Sequence, residues 1–256
     1  ALAMASRGDK VLIASRDLAK SQAAVKRVRE TQPTAQIDAL SLDLGDFGDI
    51  DRFAGELATR MPVIDVLILN AGLYTLKLYT LPNGFEAMFG IMHLGHFRLV
   101  QRLLDSVKAA AQGRIVVTSS VMHAIGGIAE ASFTDPKQHF TGLSAYGQAK
   151  LANLLFTREL ARRVAGTAVT VNAFHPGAVA TGIYDDLPLK QVITALMLTP
   201  AQGADTGIWL ATAPELKNVS GEYFVKRRQK PGSAKSRSVE LAQRLWARSE
   251  ELAGAR

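Results

Sequence analysis

The sequence predicts an α/β protein built on a doubly wound parallel sheet, and three observations carry that reading. Short apolar runs alternate with longer segments of helical period, the pattern of βαβ units. Three of those runs end, on their C-terminal side, in residues capable of chemistry. Residues 63–69 lead into Asn70-Ala71-Gly72, residues 114–118 into Ser119-Ser120, and residues 171–174 into His175-Pro176-Gly177. In an open parallel sheet that is the edge where ligands bind. Finally, 256 residues with 48% hydrophobic content suit a single domain, residues 1–256, with an ordinary core. No internal repeat or linker divides the chain.

Taken in order, residues 1–6 read as the end of a helix, with Arg7-Gly8-Asp9 as its exit turn. Residues 10–15 read as a strand and 17–30 as a helix, with Gln32-Pro33 as the stop. A strand over 37–42 and a helix over 49–60 follow, then a strand over 63–69. Residues 84–110 form a long helical segment bent near Gly95, and 114–119 a strand. Residues 121–143 read as an irregular loop, and 144–163 as a helix. A strand over 168–173 precedes a mobile segment, 178–198. Thr199-Pro200 is a good cap and first turn for a helix to about residue 212. A short strand over 222–225 and a closing helix with an apolar stripe of Leu241, Leu245, Trp246 and Leu252 complete the chain.

The chemistry centres on Ser144-Ala145-Tyr146-Gly147-Gln148-Ala149-Lys150. A Tyr and a Lys four residues apart share one helix face. An ammonium beside a phenol favours the phenolate and lowers its pKa, making a proton donor and acceptor usable near neutral pH. A nearby hydroxyl, Ser120, could position a substrate carbonyl. Such a trio suits interconversion of alcohols and carbonyls if something else carries the hydride. An isolated Tyr-x-x-x-Lys describes only a polar pair on a surface helix; the three strand ends are what give it meaning.

These words together resemble the short-chain dehydrogenase/reductase superfamily, and within it the retinol dehydrogenase branch. The resemblance rests on Asn70 to Gly72, Gly90 to Phe97, Arg114 to Ser120, Tyr146 to Asn153, His175 to Gly177, Thr199 to Ala204 and Leu245 to Leu252, in the family's order along nearly the whole chain. The long spacing from Ser120 to Tyr146 is that of the retinol dehydrogenase branch. The resemblance implies a Rossmann-type fold and a small or lipophilic alcohol or carbonyl substrate. It gives Tyr146 the proton exchange, Ser120 the orientation of the carbonyl, and Lys150 both the tuning of Tyr146 and a grip on the nicotinamide ribose. By the same resemblance Asp43 and Leu44 contact the adenine, and Asn70, Ala71 and Gly72 let the cofactor backbone lie close. Pro176, Gly177 and Thr181 flank the nicotinamide. Where the adenosine ribose sits, an acidic residue selects a free 2′-hydroxyl and an arginine accommodates a 2′-phosphate. The strand here ends Ala14-Ser15-Arg16-Asp17, so Arg16 favours NADP, with NAD the alternative and Lys20 a second cation within reach.

Two features depart from the family. A first strand and a Gly-rich phosphate loop belong before residue 1, and neither is in this sequence. That strand is central, lying between strands 10–15 and 63–69. Without it, two inner edges carry unpaired backbone groups, each costing about 1–3 kcal/mol. A run of them exceeds the ~5–15 kcal/mol stability of a domain. The expectation is therefore roughly 25 to 35 further residues at the natural N-terminus, and two strands that do not pair directly with each other. The second departure is Met92, where the family carries an asparagine that helps supply protons to the lysine; a thioether is only a weak acceptor.

Composition narrows the remaining classes. The formal charge of +7 is scattered along helices, with one modest cluster at Lys226-Arg227-Arg228-Gln229-Lys230, and no nucleic-acid motif accompanies it. No run reaches the roughly 18 apolar residues of a membrane span. The absence of cysteine excludes disulfides and thiolate catalysis and fits a reducing compartment, so a cytoplasmic location is expected. His93, His96, His123 and His175 fall on unrelated elements, so no metal is expected and His93 and His96 should pack or bond locally. A homo-oligomer is compatible with the resemblance. The rival reading is a non-catalytic dinucleotide-binding or protein-interaction module of the same fold.

Overall fold

The computed structural model describes residues 1–138, 140–179 and 197–254. A short helix, α1 (Leu2–Ala5), turns at Gly8 (φ +86°) into β1 (Val11–Ser15). Helix α2 (Leu18–Thr31) starts at Asp17, whose carboxylate accepts the Lys20 amide; β2 (Ile37–Ser41) follows. Helix α3 (Phe47–Arg60) is capped by Asp46 in the same way and leads to β3 (Val66–Leu69). A short helix, α4 (Ala87–Phe89), passes through a π turn (Gly90–Gly95) into α5 (His96–Lys108). Then come β4 (Arg114–Thr118), α6 (Ala131–Thr134), α7 (Gly142–Arg163) and β5 (Thr170–His175). The chain ends with α8 (Pro200–Thr212), β6 (Tyr223–Val225), β7 (Arg228–Lys230) and α9 (Val239–Leu252).

The strands form a parallel pair, β1-β2, and a sheet in the order β3-β4-β5-β6-β7, parallel except for β7. Strands β1 and β3 do not pair with each other, as the assumed strand order required. Alternation along the strands builds two layers. Ile115, Val117, Val171 and Ala173 face a core with Phe53, Phe97, Leu160 and Trp246 from α3, α5, α7 and α9. Val116, Phe174 and Phe224 face the opposite side, against Leu210 of α8 and Met4 of α1. Helices therefore cover both faces, the doubly wound arrangement. No helix among the described residues is long and apolar enough to cross a membrane.

The expected elements are present, with shifted ends that have local causes. The strand expected over 63–69 starts at Val66, because the Ile64 amide bonds to the Ser106 carbonyl at the end of α5. The strand expected over 168–173 instead runs Thr170–His175, because Thr167 turns back on Val164 and its hydroxyl takes the Val169 amide. That shift carries the strand to His175, at the edge bearing the chemistry. The loop 121–143 contains α6 and 3-10 turns at Val121–Ala124 and Pro136–Gln138. Strand β7 was not expected. Its hairpin turns on Lys226 (φ 51°) and Arg227 (φ 57°), both left-handed without a glycine. Arg227 is held there by an ion pair with Asp205 and by donation of its amide to Thr206. Residues 178–179 and 197–198 pair at Val179 and Leu198, and residues 180–196 lie outside the described residues.

The bend near Gly95 takes the form of the π turn, and the contact behind it is tertiary. A Cβ on Gly95 would sit 2.2 Å from the Leu44 carbonyl oxygen, so the turn after β2 lies directly on the helix. Gly95→Ala should therefore destabilise the protein by about 3 kcal/mol through overpacking. Gly55, in the interior of α3, has nothing within 4 Å of its own virtual Cβ. Gly55→Ala should stabilise by roughly 0.5–1 kcal/mol through helix propensity alone. Urea denaturation of both variants reads the two effects; equal shifts would mean that the Leu44 contact yields easily.

Candidate active site

Helix α7 carries the Tyr-Lys pair and is fixed at both ends of the site. Its start is a capping box in which Thr141 and Ser144 satisfy each other's amides. Four residues beyond Tyr146, Lys150 is 2% exposed. Its Nζ donates to the Thr118 carbonyl at 3.3 Å, a carbonyl that also accepts from Asn153 Nδ2 at 3.1 Å. The Nζ lies 5.5 Å from the centre of the Tyr146 ring. Burial pushes the Lys150 ammonium down to about 8, with no other cause contributing. The site thus holds a desolvated cation that keeps its charge at neutral pH.

Strand β4 delivers the hydroxyls. Thr118 Oγ1 donates to Asn70 Oδ1 at 3.2 Å and fixes Asn70 at the end of β3. Ser119 Oγ donates to the Lys150 carbonyl at 2.8 Å, an anchor between strand and helix. Ser120 Oγ accepts the Met122 amide at 3.2 Å, capping the 3-10 turn, and this leaves the hydroxyl proton for another oxygen. The turn after Ser120 then lies on α7 beside Tyr146, since a Cβ on Gly126 would sit 2.3 Å from the Gly147 carbonyl. Tyr74 meets the Tyr146 ring edge-on, with centroids 5.4 Å apart, and Leu73 and Met92 pack in the same cluster.

The expected cofactor residues lie at the ends of their strands. Asn70, Ala71 and Gly72 are exposed beyond β3. A Cβ on Gly72 would come 3.7 Å from Lys150 Nζ and 3.1 Å from Met92 Sδ, so the bare glycine keeps the approach to the ammonium open. Gly177 follows Pro176 with φ +91°, where a side chain would be strained. Asp43 accepts the Gly45 amide at 2.8 Å, and Leu44 is buried against the π turn, which ties this turn to the segment bearing Met92. Arg16 is exposed beyond β1 and has no carboxylate partner among the described residues. Lys20, by contrast, is drawn to Asp17 at 3.4 Å. Thr181 lies outside the described residues.

His93 and His96 bond locally. His93 Nε2 bonds Ser249 Oγ at 2.8 Å, and His96 Nδ1 donates to the Met92 carbonyl at 2.9 Å. Burial, first among the causes, pushes them down to about 3 and about 4, so both are neutral rings of the core. Among the described residues no three His, Asp or Glu side chains gather as a metal site. Residues that sequence reasoning missed are Asn153, which shares the Thr118 carbonyl, and Tyr74. For Asn153 a signal existed, since it sits three residues beyond Lys150 on the same helix.

The profile of the family described as short chain dehydrogenase matches residues 1–191. The chain belongs to the short-chain dehydrogenase family. Human retinol dehydrogenase 13 is 38% identical over 264 residues, which span 99% of this chain and 80% of that protein. Mouse retinol dehydrogenase 14 is 38% identical over 267 residues, spanning 96% and 79%. Among solved structures, an uncharacterised protein from Mycobacterium paratuberculosis superposes with a TM-score of 0.79 at 30% identity, covering 99% of this chain and 87% of that one. This short-chain dehydrogenase is therefore an oxidoreductase of alcohols and carbonyls in the retinol dehydrogenase-like branch. The family uses a nicotinamide dinucleotide. The open cradle at Gly72 beside the Lys150 ammonium, and the exposed Arg16, neither cation with a carboxylate partner among the described residues, fit such a polyhydroxylated, phosphorylated group.

Proposed function

We propose that this enzyme interconverts an alcohol and a carbonyl with NADP, using Tyr146 as the acid and base. The observation that carries the reading is the buried ammonium of Lys150, one helical turn from Tyr146 and with no carboxylate among the described residues to neutralise it. That charge favours the phenolate of Tyr146 and can hydrogen-bond ribose hydroxyls. In the reducing direction Tyr146 gives its phenolic proton to the carbonyl oxygen as the carbon gains hydride, and Ser120 donates a hydrogen bond to the same oxygen. When bound, the nicotinamide supplies the hydride or takes it back. Arg16 supports NADP over NAD, because an exposed guanidinium with no carboxylate partner among the described residues suits a 2′-phosphate. Apolar neighbours of Tyr146 (Leu73, Tyr74 and Met92) support a lipophilic substrate.

The test is loss of NADPH absorbance with a panel of aliphatic and aromatic aldehydes and ketones, run beside NADH. Turnover of several panel members with NADPH is expected; cofactor binding without turnover of any of them would favour the non-catalytic reading. Arg16→Asp should move the ratio of catalytic efficiencies from NADP towards NAD by roughly 10–100-fold, the worth of one charge-assisted contact. An unmoved ratio would make Arg16 an ordinary surface residue.

A further inference from the structure

Behind Ser120 lies a buried imidazole that the reaction above leaves unused. His123 is 4% exposed, and its Nδ1 lies 2.6 Å from the Ser120 carbonyl oxygen. Its Nε2 lies 3.0 Å from the Ser233 amide nitrogen. A carbonyl can only accept and an amide N–H can only donate. The ring is therefore neutral, with its one proton on Nδ1 and its lone pair on Nε2. Both nitrogens are committed, and the ring is fixed as a strut between Ser120 and residues 231–236.

That segment is itself clamped. Arg158 of α7 donates to the carbonyls of Pro231 and Ser236, and Lys235 Nζ donates to the Gly126 carbonyl at 3.0 Å. At Gly232 (φ +71°) a Cβ would meet Ser236 Oγ at 2.6 Å and His123 Nε2 at 3.4 Å, so the backbone passes over the imidazole where only glycine fits. The Tyr223 ring meets His123 edge-on at 5.1 Å. Among the described residues, the charged or titratable groups around the ring and its clamp are Arg158 on α7, His175 at the end of β5, Tyr223 on β6 and Lys235 of the clamped segment.

We propose that His123 is a positioning residue for Ser120, holding the serine through its backbone carbonyl while the 231–236 segment fixes the ring's orientation and tautomer. The proposal rests on the reading of Ser120 as the group that orients the carbonyl. It also has a consequence for pH. Protonation puts a second N–H on Nε2, facing the Ser233 N–H, and two donors cannot share that contact, so the ring must move and release Ser120. Burial and the Arg158 cation hold His123 below the ordinary histidine range, so the parent enzyme should lose turnover only at pH values below that range.

Two variants separate the contacts. In His123→Asn the amide nitrogen replaces Nδ1, keeping the donor to Ser120 and removing the titratable group. In His123→Gln the amide oxygen replaces Nε2, keeping the acceptor for Ser233 and losing the donor to Ser120. With NADPH and para-nitrobenzaldehyde or dodecanal near pH 7, His123→Asn should stay within about threefold of the parent and lose the acid limb. His123→Gln should lose turnover by roughly tenfold or more with KM for NADPH unchanged. Equal losses in both variants, or losses that track their melting temperatures, would make the role structural and overturn the proposal, as would two variants that match the parent.

A readout independent of turnover is nitrogen NMR of the imidazole with the Ser233 amide. The neutral Nδ1–H tautomer near pH 7, and an amide shift that titrates with the ring, are expected. The other tautomer, or uncoupled titrations, would overturn the proposal. If the parent turns over no carbonyl, the functional reading fails, while the NMR result still decides the geometry.

Discussion

Lys150→Met should make the protein more stable and inactive at once. The lysine's ordinary value is 10.5, and burial brings it to about 8 in the fold. At about 1.4 kcal/mol per pH unit, that difference makes the buried ammonium cost about 3 kcal/mol. The sign follows from proton binding. Between about 8 and 10.5 the unfolded chain holds a proton that the folded one lacks, so stability rises as pH increases through that window. Below about 8 the full cost is present. Methionine fills nearly the same volume without a charge, and the Thr118 carbonyl keeps its bond from Asn153. The variant should therefore gain up to about 3 kcal/mol at neutral pH and lose most of that advantage above about pH 10.5. Urea titrations of the cofactor-free protein across this range measure it. A variant less stable than the parent at neutral pH would show that Lys150 is not the strained, desolvated charge described here.

Tyr146→Phe should reduce turnover by roughly 10²–10⁴-fold, the usual worth of a positioned acid or base. The substitution removes only the phenolic oxygen. The ring keeps its edge-on contact with Tyr74 and its place among Met88, Met92 and Ala149. Affinity for NADPH, read by fluorescence titration, should stay within a few-fold, because the ammonium at Lys150 is untouched. Combining Tyr146→Phe with Lys150→Met should add little further loss of turnover at saturating NADPH, since the lysine tunes the phenol already removed, while NADPH affinity falls with the loss of the ribose contact. Turnover within a few-fold of the parent would remove Tyr146 from the chemistry.

The parts of this structure governed by local pattern were legible in the sequence. The alternation of apolar runs and helical segments gave the doubly wound sheet, because burial on a strand or a helix imposes period on the chain. The pairing of Tyr146 with Lys150 followed from helix geometry alone. Other features depend on contacts between distant residues. The π turn at Gly90–Gly95 depends on the Leu44 backbone lying against Gly95, some fifty residues earlier in the chain. Strand β7 turns on Lys226 and Arg227, which carry none of the usual glycine or asparagine signal and are held by Asp205 and Thr206. The depth of Lys150 was equally hidden, because an unpaired lysine is seldom fully buried. Lys20, expected as a second cation near that strand end, lies 3.4 Å from Asp17, the cap of α2, a pairing that depends on how the turn folds, while Arg16 has no carboxylate partner among the described residues.

Following the hydrogen itself tests the assigned chemistry most directly. Reduction of a turned-over aldehyde with NADPH deuterated at its transferable position, in ordinary water, places one deuterium on the carbinol carbon of the product. In deuterated water with unlabelled cofactor, the carbinol carbon should carry none, because the solvent proton arrives through Tyr146 at oxygen and is lost on work-up. Mass spectrometry of the alcohol reads both. Deuterium from the cofactor on carbon, at a rate that falls with Tyr146→Phe, is the predicted result. Solvent deuterium on carbon, or transfer at an undiminished rate in Tyr146→Phe, would contradict it.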